Sequence, residues 1–134
     1  MQKILLGLVL MMFQLTAFAA DEPAPAKVVP GYVSLGEPLV LNLATAGPRL
    51  AFVQLKTDIL VKDEINVEQV KLHIPALRHQ VILMLSEQNV DNVKSALKRE
   101  KLRKEISEKI RSVYKDLTGK DYIEDVLFSS FLVQ

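Results

Sequence analysis

The segment that most constrains the fold is "RLAFVQLKTDILV" (Arg49–Val61), in which apolar and polar residues alternate. Alternate side chains of a β-strand point to the same face of its sheet. One face collects Val53, Leu55, Thr57, Ile59 and Val61, and the other collects Gln54, Lys56 and Asp58. The pattern predicts a strand with one face on a core and the other in water.

Two further strands are predicted. One is "YVSLGEPLVLNLA" (Tyr32–Ala44), where Pro38 indicates a sheet edge or the start of a strand. The segment "TAGP" (Thr45–Pro48), which joins it to the alternating strand, has the residue types of a turn, and so short a connection favours an antiparallel hairpin. The other is "DVLFSSFLVQ" (Asp125–Gln134), which again alternates and predicts a strand at the C-terminal end.

A helix broken at a proline is predicted after the hairpin. Asn66–Ile74 has apolar residues at helical spacing, with Asn66 as the N-cap and Gln69 completing a capping box. Pro75 must break or kink this helix, because proline has no N–H and its ring crowds the preceding turn. A second helical segment, Pro75–Ser86, can accommodate the proline in its first turn.

A long helix is predicted to follow a polar connection, Glu87–Val93. It begins at the N-cap Ser95, runs to Leu117 and is closed by Gly119. Its predicted apolar face consists of Leu97, Leu102, Ile106, Ile110, Val113, Tyr114 and Leu117. The order of elements predicts a single α+β domain, with the broken helix and the long helix packed on one face of a small, mainly antiparallel sheet.

Two apolar features exceed what a small sheet would cover. The run Val81–Leu85 makes its helix apolar on every side, and strict alternation places Phe128 and Phe131 on opposite faces of the last strand. Burial inside the monomer explains each feature by itself. Taken together they also allow self-assembly or a groove for a partner.

Charge gives no case for nucleic-acid binding. The 134 residues include 17 basic and 16 acidic ones, so no strong field attracts a polyanion. The segment "KREKLRKE" (Lys98–Glu105) is mostly basic, but glutamates interrupt it and no aromatic residue is near it in the sequence. We interpret it as the solvated face of a helix. The absence of cysteine excludes disulfides and thiolate metal sites.

The residues also give little support for catalysis. His73 and His79 are six positions apart with a proline between them, which is not a metal-binding spacing on a helix. No serine lies in a nucleophile-elbow motif, and the glycines are too scattered for a phosphate loop. We predict no catalytic, cofactor-binding or metal-binding residues and no enzyme activity. The alternative is an enzyme or metal-binding protein that uses the two histidines with Asp63 and Glu64.

The N-terminal segment has the parts of a signal peptide. Lys3 precedes an apolar run, Ile4–Phe13, that is shorter than the ~20 residues needed to span a bilayer. Small residues follow, so we predict a signal peptide over residues 1–19 with cleavage between Ala19 and Ala20. An uncleaved membrane anchor is the alternative. Residues 20–31 are rich in alanine and proline and predict an extended spacer before a domain at 32–134.

Two segments resemble the flagellar basal body-associated protein FliL family. They are "VEQVKLHIPALRHQVILMLSEQ", around Pro75, and "VLFSSFLVQ", at the C-terminal end. The resemblance covers Tyr32–Gln134. Its matching positions are Leu72, Pro75, Arg78, Leu85, Ser86, Val126, Leu127, Phe128, Phe131 and Gln134. Members of the family usually carry a full transmembrane helix, and the short segment here departs from that.

The resemblance implies a stomatin-like (SPFH) fold and a non-enzymatic periplasmic domain without cofactors. It also implies association with the inner membrane and the basal body, through the N-terminus or through partners, and rings of copies around stator units that support flagellar rotation, swarming and chemotaxis. Candidate contact positions are Leu72, Pro75, Arg78, Leu85, Phe128 and Phe131. The alternative function is a general periplasmic scaffold with no role in the motor.

Overall fold

The structure is a computed structural model that describes residues 24–134. The predicted signal segment and its Ala19–Ala20 cleavage site lie outside the described residues. Residues 24–30 form no helix or strand and are exposed. No helix within the described part of the chain is long and apolar enough to cross a membrane.

The sheet is built around the alternating segment predicted first. It contains β1 (Gly31–Ser34), β2 (Leu39–Leu43), β3 (Ala51–Val61) and β4 (Ile123–Val133). β3 is central and pairs antiparallel with all three other strands: β1 and β2 follow one another along one side of it, and β4 lies along the other. The predicted antiparallel pairing is therefore confirmed.

The segment predicted as one strand, Tyr32–Ala44, is interrupted, and that part of the prediction is wrong. Ser34 pairs with Asp58 and Leu39 with Leu55, so residues 35–38 lie opposite only two residues of β3. Gly36 accommodates the excess with a φ of 95°, a conformation that glycine adopts without strain. The result is a bulge that separates β1 from β2.

The helices cover one face of the sheet. After a single 3₁₀ turn (Glu64–Asn66) come α1 (Val67–Lys71), α2 (Ile74–Ser86), α3 (Val90–Lys94) and α4 (Ala96–Thr118). Every second residue of β3 from Ala51 to Val61 is buried beneath them. Burial of this apolar face is the main source of the domain's stability. The prediction of an α+β domain with a mainly antiparallel sheet is confirmed.

The break at Pro75 is confirmed, but the predicted cap is wrong. α1 ends at Lys71, and α2 begins with Pro75 in its first turn. The Asn66 side chain makes no capping hydrogen bond, so the capping box is not formed. Instead, the Asp63 side chain accepts a hydrogen bond from the Ile65 N–H at 3.2 Å and starts the 3₁₀ turn.

The connection between the two main helices contains a short helix that the sequence prediction missed. Asn89 is the N-cap of α3: its side-chain oxygen accepts from the Asn92 N–H at 2.9 Å. Val93 of this helix packs into the core. The predicted caps of α4 are confirmed. Ser95 accepts from the Lys98 N–H at 3.4 Å, and Gly119 closes the helix in the left-handed conformation.

The apolar face predicted for the long helix is confirmed in the middle of α4 and wrong at its ends. Leu102, Ile106, Ile110 and Tyr114 are buried. Leu97 and Leu117, in the first and last turns of α4, are exposed and do not join the core. The mostly polar surface of these turns remains in water.

The aromatic pair of the last strand lies on one face, and the prediction of opposite faces is wrong. Lys56 pairs with Ser130 and Thr57 with Phe128, so Ser129 is an extra residue in β4. A bulge of this kind reverses the alternation beyond it. Phe128 and Phe131 therefore stack, with ring centroids 5.5 Å apart and an interplanar angle of 28°.

Candidate partner-binding surface

The positions predicted around Pro75 divide into surface and interior. Leu72 is 70% exposed at the junction of α1 and α2, and Pro75 is exposed beside it. Leu85 is fully buried in the core. The Ser86 hydroxyl donates to the Ile82 carbonyl at 2.7 Å and so serves the end of its own helix. Only the first two offer a side chain to another molecule.

Arg78 links α2 to the bulge between β1 and β2. One of its terminal nitrogens, Nη1, donates to the Leu35 carbonyl at 2.9 Å and to the Glu37 carbonyl at 2.6 Å. Bonds from a charged donor are stronger than neutral ones. The guanidinium thus supplies donors to carbonyls that the bulge removes from regular strand pairing, which is a structural role.

The aromatic pair faces the start of α4 across a groove. The groove has a volume of about 390 Å³ and is lined by Ala96, Arg99, Glu100, Arg103, Phe128 and Phe131. The Arg99 guanidinium lies over the Phe131 ring, 5.1 Å from its centroid, which is a cation–π distance. The basic segment predicted to have no aromatic neighbour therefore acquires one through the fold.

An ion-pair network closes one end of this groove. Arg103 Nη1 donates to both carboxylate oxygens of Asp125, at 2.8 and 2.9 Å, and its Nε and Nη2 reach Glu100. The Ser107 hydroxyl donates to Asp125 Oδ1 at 2.6 Å. The network also occupies the edge of β4, because Arg103 donates to the Val126 carbonyl at 2.7 Å.

The network keeps its members charged. Burial by itself would raise the pKa of Asp125, but hydrogen bonds from Ser107, the Val126 N–H and Arg103 outweigh it and hold that pKa below its usual value. Arg103 likewise lowers the pKa of Glu100, chiefly by donating hydrogen bonds to it. The same bonds to Glu100, with a smaller contribution from Asp125, raise the pKa of Arg103. The network is therefore ionised at neutral pH and acts structurally.

The sheet face opposite the helices carries a second apolar surface. Val40, Phe52 and Leu132 are 64%, 40% and 46% exposed, respectively, on three neighbouring strands. With Gln54 and Gln134 they surround a depression of about 280 Å³. Apolar side chains grouped on three strands form a patch suited to protein contact.

The histidines and acidic residues of the alternative metal site do not form a common site. The His73 ring packs edge-on against Tyr114, with centroids 5.5 Å apart, whereas His79 is exposed. The Asp63 side chain is engaged in its helical cap. Within residues 24–134, no group of three histidine or acidic side chains is placed to hold a metal ion.

The model of the flagellar basal body-associated protein FliL family matches residues 32–134. The chain belongs to this family. The match extends from the second residue of β1 to the last residue of the chain, so it includes both groove-lining phenylalanines and the broken helix. The predicted family membership is confirmed. A search of curated proteins gives no match.

The groove beside β4 is the feature of this FliL-family domain that sequence reasoning missed. Its floor depends on the bulge at Ser129, and its rim depends on the packing of α4 against the sheet. One local signal was available. Two adjacent serines between two phenylalanines interrupt the alternation, and adjacent polar residues in a half-buried strand are typical of a bulge.

Proposed function

We propose that this protein is a non-enzymatic accessory component of the flagellar motor that supports rotation by binding other motor proteins. The observation that carries the proposal is the family match over residues 32–134. The character of the surface supports it: the described domain presents a groove beside an edge strand and an apolar patch on the open sheet face. Both are suited to contacts between proteins.

The same proposal includes the finer properties that the family resemblance implies. The domain is periplasmic and similar to the stomatin fold, and several copies assemble into a ring at the stator units near the inner membrane. It modulates motor output during swarming and chemotaxis. The exposed junction at Leu72 and Pro75 and the open-face patch around Phe52 are the surfaces available for these contacts.

A deletion under mechanical load tests the motor role. In cells that lack the protein, tethered-cell rotation at raised viscosity and swarming on agar are expected to fall, and a wild-type copy is expected to restore both. Normal rotation under load would contradict the proposal. The general-scaffold alternative predicts intact motility and a defect of the envelope instead.

Co-purification tests the partners. Crosslinking in living cells followed by purification of the protein is expected to recover stator or basal-body proteins. Phe52→Ser on the exposed patch is expected to weaken the recovery while leaving the fold intact, because that side chain lies on the open face of the sheet. Recovery of unrelated envelope proteins only would favour the scaffold.

The N-terminal segment decides how the domain is held. Mass spectrometry of the protein purified from cells is expected to find a mature chain that begins at Ala20. Cleavage would leave the domain attached to the motor through partners alone. A retained Met1 would show that the segment stays as an anchor, which contradicts the predicted cleavage but not the motor role.

A further inference from the structure

β4 leaves one edge of the sheet open. Among the described residues it pairs only with β3, so its other side carries backbone groups without a neighbouring strand. Such an edge is a template for another extended segment. In an antiparallel ladder, hydrogen-bonded and non-hydrogen-bonded residue pairs alternate, and this alternation shows which backbone groups of β4 point outward.

The hydrogen-bonding pattern identifies the outward groups. Phe52 and Gln134 exchange both backbone hydrogen bonds, at 2.8 and 3.0 Å, so they form a hydrogen-bonded pair. In the alternating pattern, the N–H and C=O of Val133 and Phe131 then point away from β3. Within residues 24–134, no side chain donates to or accepts from these outward groups.

The situation at Val126 is different. Its carbonyl accepts from Arg103, and its N–H is within hydrogen-bond distance of the Ser107 hydroxyl (3.2 Å) and the Asp125 carboxylate (2.8 Å). These side chains occupy the edge positions that a neighbouring strand would use. The edge is thus closed at its beginning and open from Phe128 to the end of the strand.

The open part also lacks the residues that usually protect an edge. From Val126 to Gln134 there is no charged residue and no proline, and the one protective irregularity is the bulge at Ser129. Natural sheets commonly block such edges with lysine, proline or inward charges. An unprotected edge beside a groove is therefore a surface for pairing.

The charge beside the edge indicates the partner. From Lys98 to Lys104 five residues are basic and one is acidic. Of these basic residues, Arg99 lies at the groove over the Phe131 ring and forms no ion pair among the described residues. Arg103 also lines the groove but is paired with Glu100 and Asp125, and Lys98 lies on the other side of α4. A segment laid along β4 would pass beneath this positive turn of α4. Acidic side chains would be attracted there and basic ones repelled.

We propose that the outer edge of β4, from Phe128 to Gln134, binds an extended acidic segment of a protein partner as an added strand. The backbone of the edge supplies affinity, and the unpaired Arg99 guanidinium at the groove selects negative charge. A second copy paired through the same edge fits less well, because two-fold pairing would bring two positive α4 turns together on one face. The inference goes beyond the motor role and holds whether or not that role is correct.

Peptide binding to the full-length protein in a mild non-ionic detergent tests the proposal. The probes are a labelled octapeptide that alternates valine or threonine with glutamate, and its twin with lysine at each glutamate. Fluorescence anisotropy is expected to show at least about tenfold tighter binding of the acidic peptide. Amide NMR shifts are expected at Phe131 and Val133, whose N–H groups point outward.

Two variants separate the edge from the charge. Val133→Pro removes only an outward N–H, which an edge strand tolerates, and should abolish binding while circular dichroism stays unchanged. Arg99→Glu should weaken binding of the acidic peptide by about tenfold or more. The matched control, Lys109→Glu with Lys115→Glu, reverses two exposed charges further along α4 and should leave binding within about twofold.

Several results would overturn the proposal. Equal binding of both peptides would refute selection by charge. Absence of any peptide binding would refute the site itself. If the protein binds no peptide but forms dimers, and Val133→Pro abolishes those dimers, the edge pairs with a second copy instead. If the protein binds no peptide but binds vesicles of phosphatidylcholine with phosphatidylglycerol, and Arg99→Glu abolishes that binding, the charge serves a lipid surface instead. Motility is not measured in any of these assays, so their failure is distinguishable from failure of the motor role.

Discussion

Replacing Arg78 with alanine tests whether α2 holds the bulge between β1 and β2. Arg78 Nη1 donates to the Leu35 carbonyl at 2.9 Å and to the Glu37 carbonyl at 2.6 Å. Leu35 is only 2% exposed, so its carbonyl lies beside the core, whereas Glu37 is exposed. The first bond should therefore matter more than the second, because water can replace a donor only at an exposed carbonyl.

The expected loss can be worked out from these two bonds. A hydrogen bond from a charged group contributes about 1.5–3 kcal/mol. We assign this full contribution to the bond with the Leu35 carbonyl and only a small fraction of it to the bond with the exposed Glu37 carbonyl. Arg78→Ala should then lower the free energy of unfolding by about 2–3 kcal/mol. With a denaturant slope of about 1.5 kcal/mol/M for a domain of this size, the urea midpoint should fall by roughly 1.3–2 M.

Urea unfolding of the full-length protein in mild detergent, followed by far-UV circular dichroism, measures the change. Arg111→Ala is the matched control: its guanidinium is exposed and 3.7 Å from the Asp121 carboxylate, so its loss should cost less than about 0.5 kcal/mol. Arg78→Lys should fall between the two, because a single ammonium reaches two carbonyls poorly. A midpoint for Arg78→Ala equal to that of Arg111→Ala would refute the reasoning.

The remaining predictions concern a hydroxyl, a glycine and a carboxylate. The Thr57 hydroxyl is buried without a hydrogen-bond partner among the described residues, so Thr57→Val should raise the free energy of unfolding by about 1 kcal/mol in the same urea assay, and a clear loss would count against this account. A Cβ at Gly31 would lie 2.4 Å from Val67 Cγ2, so Gly31→Ala should cost about 1–3 kcal/mol, whereas Gly47→Ala, with nothing within 4 Å, should cost much less. Asp125 has a lowered pKa in the folded state; its contribution to stability is present above its unfolded pKa of about 3.9 and is lost as the pH falls through its folded pKa. Asp125→Asn should therefore flatten the loss of stability on acidification below about pH 5, as measured by urea midpoints across pH, and an unchanged acid dependence would contradict the role of that carboxylate.

The sequence predicted those parts of the fold that local rules decide. The alternation from Arg49 to Val61 requires no knowledge of neighbouring strands, and it predicted β3 to within two residues of its observed start. The break at Pro75 follows from the covalent structure of proline. Ser95 and Gly119 were identified as caps because cap geometry depends on a few adjacent residues.

The parts that sequence reasoning missed depend on distant partners. The register of β4 against β3 inserts Ser129 as an extra residue, and this alone moves Phe131 to the face of Phe128. The short helix α3 forms in a polar segment because Val93 finds a place in the core and the Val90 N–H donates to the Ala44 carbonyl. The contacts of α3 have no signal within its own segment, and the serine pair 129–130 indicates a bulge without fixing the register of β4 against β3.

The candidate surface shows the same division. The family resemblance identified Arg78 and Leu85 as candidate contact residues. The sequence does not show whether such a side chain packs in the interior or faces a partner. The structure places Leu85 in the core and joins Arg78 to a carbonyl 43 positions earlier in the chain. Arg99 was assigned to a solvated helix face, and its contact with Phe131 became visible only once the packing of α4 on the sheet was known.

The three irregularities of the sheet are each held by a side chain. Arg78 binds the carbonyls of the bulge between β1 and β2. Arg103 binds Asp125, next to the register shift at the start of β4. The Ser129 hydroxyl donates to Asp58 at the third irregularity, on the open face. Bulges bend a strand and end regular pairing, so fixing them fixes where the edges of the sheet can pair.

This arrangement explains why only one stretch of edge is available. Along β1 and β2 the bulge interrupts the outer edge, and at the start of β4 the Arg103 side chain occupies the Val126 carbonyl. Beyond the bulge at Ser129, the end of β4 has neither protection, and the outward groups of Phe131 and Val133 are uncovered. A domain that only needed to stay monomeric would gain from a lysine or proline there. The unprotected edge beside a positive helix turn is therefore the strongest structural argument that this domain works by binding an extended partner.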